Sequence, residues 1–357
     1  MPLTDTYSHI PDGDSLHPFA MTILKWFAEN GRELPWRETR DPYPVWLSEI
    51  ILQQTRVAQG LAYWERFMRQ FPTVEALAAA SEDEVLKLWQ GLGYYSRARH
   101  LHTAARQIVE LGHFPDTYEE IRRLKGVGDY TAAAIGSIAF HLPVAVVDGN
   151  VYRVLSRHFG ITTPIDTTQG KKEFTALAQS LLPAAEASAY NQGMMDFGAI
   201  QCTPVSPQCS TCPLTESCAA FRTGQVENLP RKEKTLKVKT LHLTYVYLRC
   251  QGYTAIHRRG KGDIWQGLWE PLNISQPEDR PMTADEVGEA LPHCGRLTQL
   301  ASQVKHVLTH RILLADFYMM ETERRPSLPD GYVWIKEDEM EQYGIPRLIE
   351  VLIEKTK

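Results

Sequence analysis

Four cysteines fall within seventeen residues past the middle of the chain: Cys202, Cys209, Cys212 and Cys218, separated by six, two and five residues. Thiolates at that density can close on one metal centre, either tetrahedral zinc or an iron–sulfur cluster. Pro204, Pro207 and Pro213 lie among them and favour one tight loop over the two paired knuckles of a zinc ribbon. A closed set of four protein ligands leaves no open coordination position, so the centre is expected to be structural rather than hydrolytic. The other two cysteines, Cys250 and Cys294, read as core or free thiols.

Two acidic residues invite a second chemistry. Asp148 follows the apolar run Val144–Val147 and precedes Gly149–Asn150 and a helical pattern through Val151, Val154 and Leu155. A carboxylate at a helix start meets free N–H groups and the positive dipole end, which is expected to favour its ionised form. Glu49 lies in the apolar helical stretch Trp46–Leu52. Its side chain either points to water or faces a pocket, where desolvation raises its pKa. An acid and an anion with oppositely shifted pKa values suit cleavage of a bond whose leaving group is protonated while the cation left behind is stabilised.

These groups need elements to hold them. Leu124–Tyr130 reads L-K-G-V-G-D-Y between two helical patterns, and Gly126 and Gly128 permit a sharp hairpin there. The next helix begins at Asp129, and its free N–H groups suit a phosphate, although a plain helix–helix turn has the same pattern. Apolar residues at three- and four-residue spacings predict helices over Phe19–Phe27, Val45–Val57, Leu61–Phe71, Val85–Leu88, Leu101–Leu111, Thr175–Leu182 and Asn191–Ile200. After a polar, basic stretch the period changes. Leu241–Leu248, Tyr253–His257, Ile312–Met319 and Tyr332–Ile335 read as strands, and Ala284–Leu291 and Arg347–Ile353 as helices. The expected architecture is multidomain: a tail over 1–18, an all-α domain over 19–223 with its cysteine loop at 202–218, a linker over 224–239, and an α+β domain over 240–357.

Composition removes some classes of function. No apolar stretch reaches membrane-spanning length, and residues 1–18 have no apolar signal core, so a cytoplasmic protein that engages no membrane is expected. Six cysteines without export argue for a reducing compartment and against a disulfide framework. The formal charge of -5 argues weakly against nucleic acid, but a basic face can exist on an acidic chain. Basic residues concentrate at Arg97–Arg99 with Arg106, and at Arg231–Lys239, where five occur.

L-K-G-V-G-D-Y-T-A followed by V-D-G-N-V resembles the helix-hairpin-helix base-excision DNA glycosylases. R-E-L-P-W-R at 32–37, W-L-S-E-I-I-L-Q-Q-T at 46–55, G-L-G-Y-Y-S-R at 91–97 and N-Q-G-M-M-D-F-G-A at 191–199 resemble the adenine-specific branch. The cysteine spacing is similar to the [4Fe–4S] loop of many members. The resemblance implies a Glu49 that protonates adenine and an Asp148 that stabilises or captures the sugar cation, supported by Tyr130 and Asn150. It further implies a base pocket lined by Trp36, Arg37 and Gln192, wedges at Gln54 and Tyr94 that enter the duplex, and backbone contacts at Gly126 and Gly128. Related glycosylase–lyases carry a lysine at the place of Tyr130. A phenol forms no imine, so a monofunctional glycosylase is implied.

Gly262–Glu270 resembles the loop and strand of Nudix-like domains, but residues 271–295 lack the glutamate-rich R-E-x-x-E-E helix, so pyrophosphate hydrolysis is not expected. In the family this domain reads the damaged guanine through a loop written F-S-H. Leu308-Thr309-His310 stands there, with leucine in place of the aromatic and threonine keeping the hydroxyl. The implied partner is double-stranded DNA with adenine opposite 8-oxoguanine or guanine, and the implied protein is a monomer, associated with the nucleoid if bacterial. The alternatives are an endonuclease III-like glycosylase–lyase acting on oxidised pyrimidines, and a non-catalytic iron–sulfur protein that binds DNA.

Overall fold

A computed structural model describes residues 16–233, 238–275, 280–291 and 295–356. Residues 1–15 of the expected tail, positions 234–237 of the expected linker and Cys294 lie outside the described residues. The chain forms two compact units: residues 1–78 with 103–235, and residues 79–102 with 236–357. Division at a linker over 224–239 does not describe this arrangement. Residues 224–233 pack on the first unit, where Arg157 Nε donates to the carbonyls of Val226 (2.9 Å) and Leu229 (3.1 Å) and Ile165 N donates to that of Arg231 (3.0 Å).

The first unit is helical. Its elements are α1 (Pro18–Asn30), α2 (Pro42–Ile51), α3 (Val57–Gln70), α4 (Val74–Ala79, whose last residue falls in the second unit), α7 (Tyr118–Arg123), α8 (Asp129–Ala139), α9 (Gly149–Phe159), α10 (Thr168–Leu181), α11 (Ala187–Asp196) and α12 (Ala219–Arg222). One buried cluster joins α1, α9, α10 and α11 through residues such as Ile23, Val154, Phe174 and Met194. A smaller one joins α2 and α8 through Val45, Ala133, Ala134 and Ile138. The α2 pattern stops short of Val57: the helix ends at Ile51, and Gln54 takes φ +56°. In the hairpin between α7 and α8 only Gly126 has positive φ, +79°, whereas Gly128 caps α8 with φ −99° and ψ −178°. A Cβ on Gly128 would meet nothing, so its need for glycine is not an internal one.

The second unit holds α5 (Glu82–Trp89), the first half of α6 (Ser96–Leu111) and a seven-stranded mixed sheet. The sheet path is β3 (Trp269–Glu270), β2 (Tyr253–Arg258), β1 (Lys239–Cys250), β6 (Arg311–Thr322) and β5 (Gly295–Val307), with β4 (Leu272–Asn273) on β1 and β7 (Tyr332–Lys336) on β2. Among the described residues only β1 and β6 pair in parallel. The helices α13 (Ala284–Glu289) and α14 (Arg347–Glu354) complete it, and Cys250 is buried in β1. Residues 79–102 are tied to this sheet unit by polar contacts. Arg258 Nη2 reaches Glu82 Oε1 at 3.0 Å, Arg99 Nη1 donates to the Gln266 carbonyl at 2.6 Å, and Lys87 Nζ donates to the Tyr343 carbonyl at 3.1 Å.

Candidate active site and metal centre

Glu49 sits on α2, whose residues Tyr43–Ile51 are all buried. It does not point to water: it is 6 % exposed, and Tyr130 Oη, from the first turn of α8, donates to its Oε2 at 2.7 Å. Burial pushes its carboxyl up to about 7, with the nearby Asp148 adding to the shift and the Tyr130 hydroxyl and Arg37 opposing it. The phenol of Tyr130 is held well above its ordinary value by burial and by both carboxyls, so it stays a hydrogen-bond donor. Its Oη also lies 3.7 Å from Met195 Sδ.

Asp148 caps α9. Its Oδ1 accepts from Val151 N and its Oδ2 from Asn150 Nδ2, both at 2.8 Å. The expectation of a lowered pKa is not met. Burial outweighs the helix start and moves the carboxyl up, while the Val151 and Asn150 donors and Arg153 oppose the shift. Both carboxyls therefore move in one direction, and what separates them is their partners. Glu49 receives one phenolic donor, and Asp148 receives a backbone amide and a side-chain amide backed by a cation. That donor set favours the charged form of Asp148.

The remaining pocket candidates gather on the same unit. Trp36 is buried in a short 3-10 turn, Pro35–Arg37, with its ring 5.6 Å from that of Trp64. Arg37 Nη1 and Nη2 bond Asp196 at 2.8 and 2.9 Å, and Arg32 N donates to the same carboxylate at 2.9 Å. The pairing holds the Asp196 carboxyl below its ordinary range despite its burial. Gln192, one turn earlier on α11, is buried, with Nε2 donating to Ser188 Oγ at 3.1 Å and Oε1 without a partner. Reading the motifs had not singled out Asp196, Arg32 or Ser188, although Arg32 and Asp196 lie inside two of them. Their charges at fixed places, the first residue of R-E-L-P-W-R and the aspartate of M-M-D, were the available signal.

The four cysteines wall one small cavity of about 30 Å3, together with Arg157, Gln201 and Thr215. Cys202 follows a π-helical turn, Phe197–Gln201, and the Thr215 hydroxyl bonds the carbonyls of Cys209 (2.5 Å) and Cys212 (2.8 Å). Among the described residues no three His, Cys, Asp or Glu groups stand together as ligands of a single ion. Four cysteine sulfurs lining one cavity are a donor set that suits a thiophilic metal centre. Two guanidiniums sit beside this loop: Arg157 Nη1 lies 3.4 Å from Cys202 Sγ, and Arg153 Nε donates to the Cys202 carbonyl at 2.7 Å. Arg153 Nη2 also donates to Asn150 Oδ1 at 2.8 Å, so the cysteine loop and the Asp148 carboxylate share one chain of hydrogen bonds.

Residues 47–183 match the model of the HhH-GPD superfamily base excision DNA repair proteins, and residues 244–355 match a NUDIX domain. The chain is 42% identical to the mouse adenine DNA glycosylase over 93% of its own length and 76% of that protein's. It is 30% identical to the adenine DNA glycosylase of Buchnera aphidicola subsp. Acyrthosiphon pisum, covering 95% of this chain and 97% of that one. The chain belongs to the adenine DNA glycosylase family. A solved thermostable thymine-DNA glycosylase overlays 57% of it and 95% of that chain, with a TM-score of 0.54 and 32% identity. Membership of the adenine DNA glycosylase family accounts for a glycosylase enzyme with a helical repair domain and a Nudix-like second domain.

In this family member the remaining candidates lie on turns. Thr309 and His310 are exposed at the tip of the β5–β6 hairpin, where Leu308 N donates to the Arg311 carbonyl at 2.8 Å. Tyr94, in the same unit, is 42% exposed on a left-handed backbone, φ +49°, and its hydroxyl is bonded to that of Thr309. Arg97 lies 5.7 Å from the centre of the Tyr94 ring. Gln54 in the first unit is also exposed and left-handed. Left-handed geometry at non-glycine residues is costly and concentrates at functional turns. At the α7–α8 hairpin a cleft of about 490 Å3 is lined by Tyr118, Arg122, Arg123, Gly128 and Asp129, with Arg122 paired to Asp129. Among the described residues no helix is long and apolar enough to cross a membrane.

Proposed function

We propose that this chain removes adenine placed opposite 8-oxoguanine or guanine in double-stranded DNA, by a monofunctional glycosylase reaction. The observation that carries this reading is the buried, Tyr130-bonded Glu49 beside a multiply hydrogen-bonded Asp148. A carboxyl titrating near 7 keeps its proton in about half of the molecules at neutral pH and can give it to the flipped base. The C1′–N9 electron pair then leaves with adenine. The Asp148 carboxylate faces the positive charge that develops on the sugar. Water adds to C1′, and the Glu49 carboxylate takes up the proton that this water releases. Trp36, Arg37 and Gln192 line the base site, Gln54 and Tyr94 fill the space left in the duplex, and Gly126 and Gly128 let a phosphate approach the start of α8.

The assay uses full-length protein on duplexes with adenine opposite 8-oxoguanine, guanine or cytosine, and on thymine glycol, with and without alkali. Adenine duplexes should yield alkali-dependent breaks only. Breaks without alkali on thymine glycol, with adenine untouched, would favour a glycosylase–lyase and overturn the proposal.

Cys202, Cys209, Cys212 and Cys218 are assigned as ligands of a [4Fe–4S] cluster, which ties the 202–218 loop together and takes no part in the bond cleavage. Anaerobically purified protein should carry about four iron atoms with acid-labile sulfide per chain. Replacing any one of the four cysteines by serine should lower the iron content and weaken DNA binding. Stoichiometric zinc without iron would overturn the assignment.

Thr309 and His310 are assigned to reading the base opposite adenine. 8-Oxoguanine differs from guanine in an N7–H donor and an O8 acceptor, and a hydroxyl can answer either. Thr309→Ala with His310→Ala should narrow the preference for 8-oxoguanine over guanine by about tenfold in affinity, the worth of one recognition hydrogen bond. The single-turnover rate should change less. An unchanged ratio of affinities for the two duplexes would remove both residues from this role.

A further inference from the structure

Gln192 is a primary amide with one end used and one end free. It is 4% exposed; Nε2 donates to Ser188 Oγ at 3.1 Å, and Oε1 is buried without a partner. Ser188 lies four residues before Gln192 on α11, so both side chains share one face of that helix. Both also line a cavity of about 170 Å3, with Arg37, Thr39, Ile138 and His141 on its other walls. An orphaned buried acceptor costs free energy unless a ligand fills it.

We infer that Ser188 is a specificity-positioning residue: it ties down the Gln192 NH2 group, so that only the carbonyl oxygen faces the base. An acceptor there takes a hydrogen bond from an exocyclic amino group such as the N6 amine of adenine, and opposes a keto oxygen at the same place. Turning the amide over would put an NH2 donor into the pocket and the oxygen on the serine hydroxyl, which can also donate. One feature opposes that rotamer: the charged residues on the cavity wall are Arg37, Arg40 and Glu186, a net cationic set that favours the oxygen end of the amide dipole there. The serine therefore acts through Gln192 and touches no reacting atom. This inference deepens the proposed adenine excision and rests on it.

The test compares two leaving bases, adenine and unsubstituted purine, each opposite 8-oxoguanine. Purine keeps the ring nitrogens but lacks the amino group. The single-turnover rate ratio of adenine to purine should fall about tenfold in Ser188→Ala and return toward the wild-type ratio in Ser188→Thr, which restores a hydroxyl. Gln192→Ala should lower the ratio similarly, and Gln192→Ala with Ser188→Ala should lower it no further, because the two side chains act as one unit. Because the readout is a ratio within each variant, a general loss of folding lowers both rates and leaves it unmoved. If Ser188→Ala leaves the ratio at the wild-type value, or if the two substitutions add, the inference is overturned. A wild-type protein that excises no adenine would instead overturn the proposed function.

Discussion

Asp148→Asn is expected to reduce single-turnover adenine excision by about 10³-fold, in the range found when one preorganised electrostatic partner is removed from a transition state. The substitution is close to isosteric, and asparagine is as good a helix cap as aspartate. The amide oxygen can still accept from Val151 N, which now bonds Oδ1 at 2.8 Å. It cannot also serve the Asn150 amide, which bonds the other oxygen, so one hydrogen bond is lost while the cost of burying the charge is relieved. The charge is what disappears. Binding to a duplex with adenine opposite 8-oxoguanine should persist, because the hairpin and the second unit are untouched. A variant that kept excision within tenfold of wild type would show that the sugar cation is stabilised elsewhere.

Glu49→Gln has two expected effects of opposite sense. Excision should fall by about 10²–10⁴-fold, the usual worth of a general acid. Stability should rise at alkaline pH. The carboxyl titrates at about 7 in the folded protein against 4.5 for the exposed group. Wild type is then most stable, as far as this group is concerned, below about pH 4.5, and loses that contribution as pH rises through about 7. The raised pKa corresponds to about 3 kcal/mol, which the neutral amide escapes while still accepting from Tyr130. Denaturant melts of the two proteins should coincide near pH 4 and separate, with the variant more stable, at pH 8. Equal stability at both pH values would show that Glu49 is not held protonated by burial.

Different parts of the molecule were legible in the sequence to different degrees. Glu49, Tyr130 and Asp148 stood out because each lies in a short motif with a fixed helical context, and the fold gathers all three into one electrostatic neighbourhood. The direction of the Asp148 shift was not legible, because its sign depends on burial by distant segments as well as on the local helix start. Strand β5 was hidden because its side chains are exposed or half-buried along its whole length and leave no alternating apolar pattern. The placement of residues 79–102 with the sheet unit was hidden for another reason. Helix α6 runs unbroken through His102, so nothing in its period marks the division, and the polar ties to Arg258, Gln266 and Tyr343 are long-range. Point substitutions at Thr309 and His310 are accordingly cleaner tests of lesion reading than truncation, which would strip residues 79–102 of their packing partners.

The central claim is that a protonated Glu49 drives the departure of adenine, and the pH dependence of single-turnover excision tests it most directly. With adenine opposite 8-oxoguanine and enzyme in excess, the rate should fall as pH rises through about 7, approaching tenfold per unit above it, and should also drop on the acid side, where the Asp148 carboxylate takes up a proton. Glu49→Gln should show a low rate without that fall. A wild-type rate that stays constant or increases between pH 6 and 9 would contradict the account.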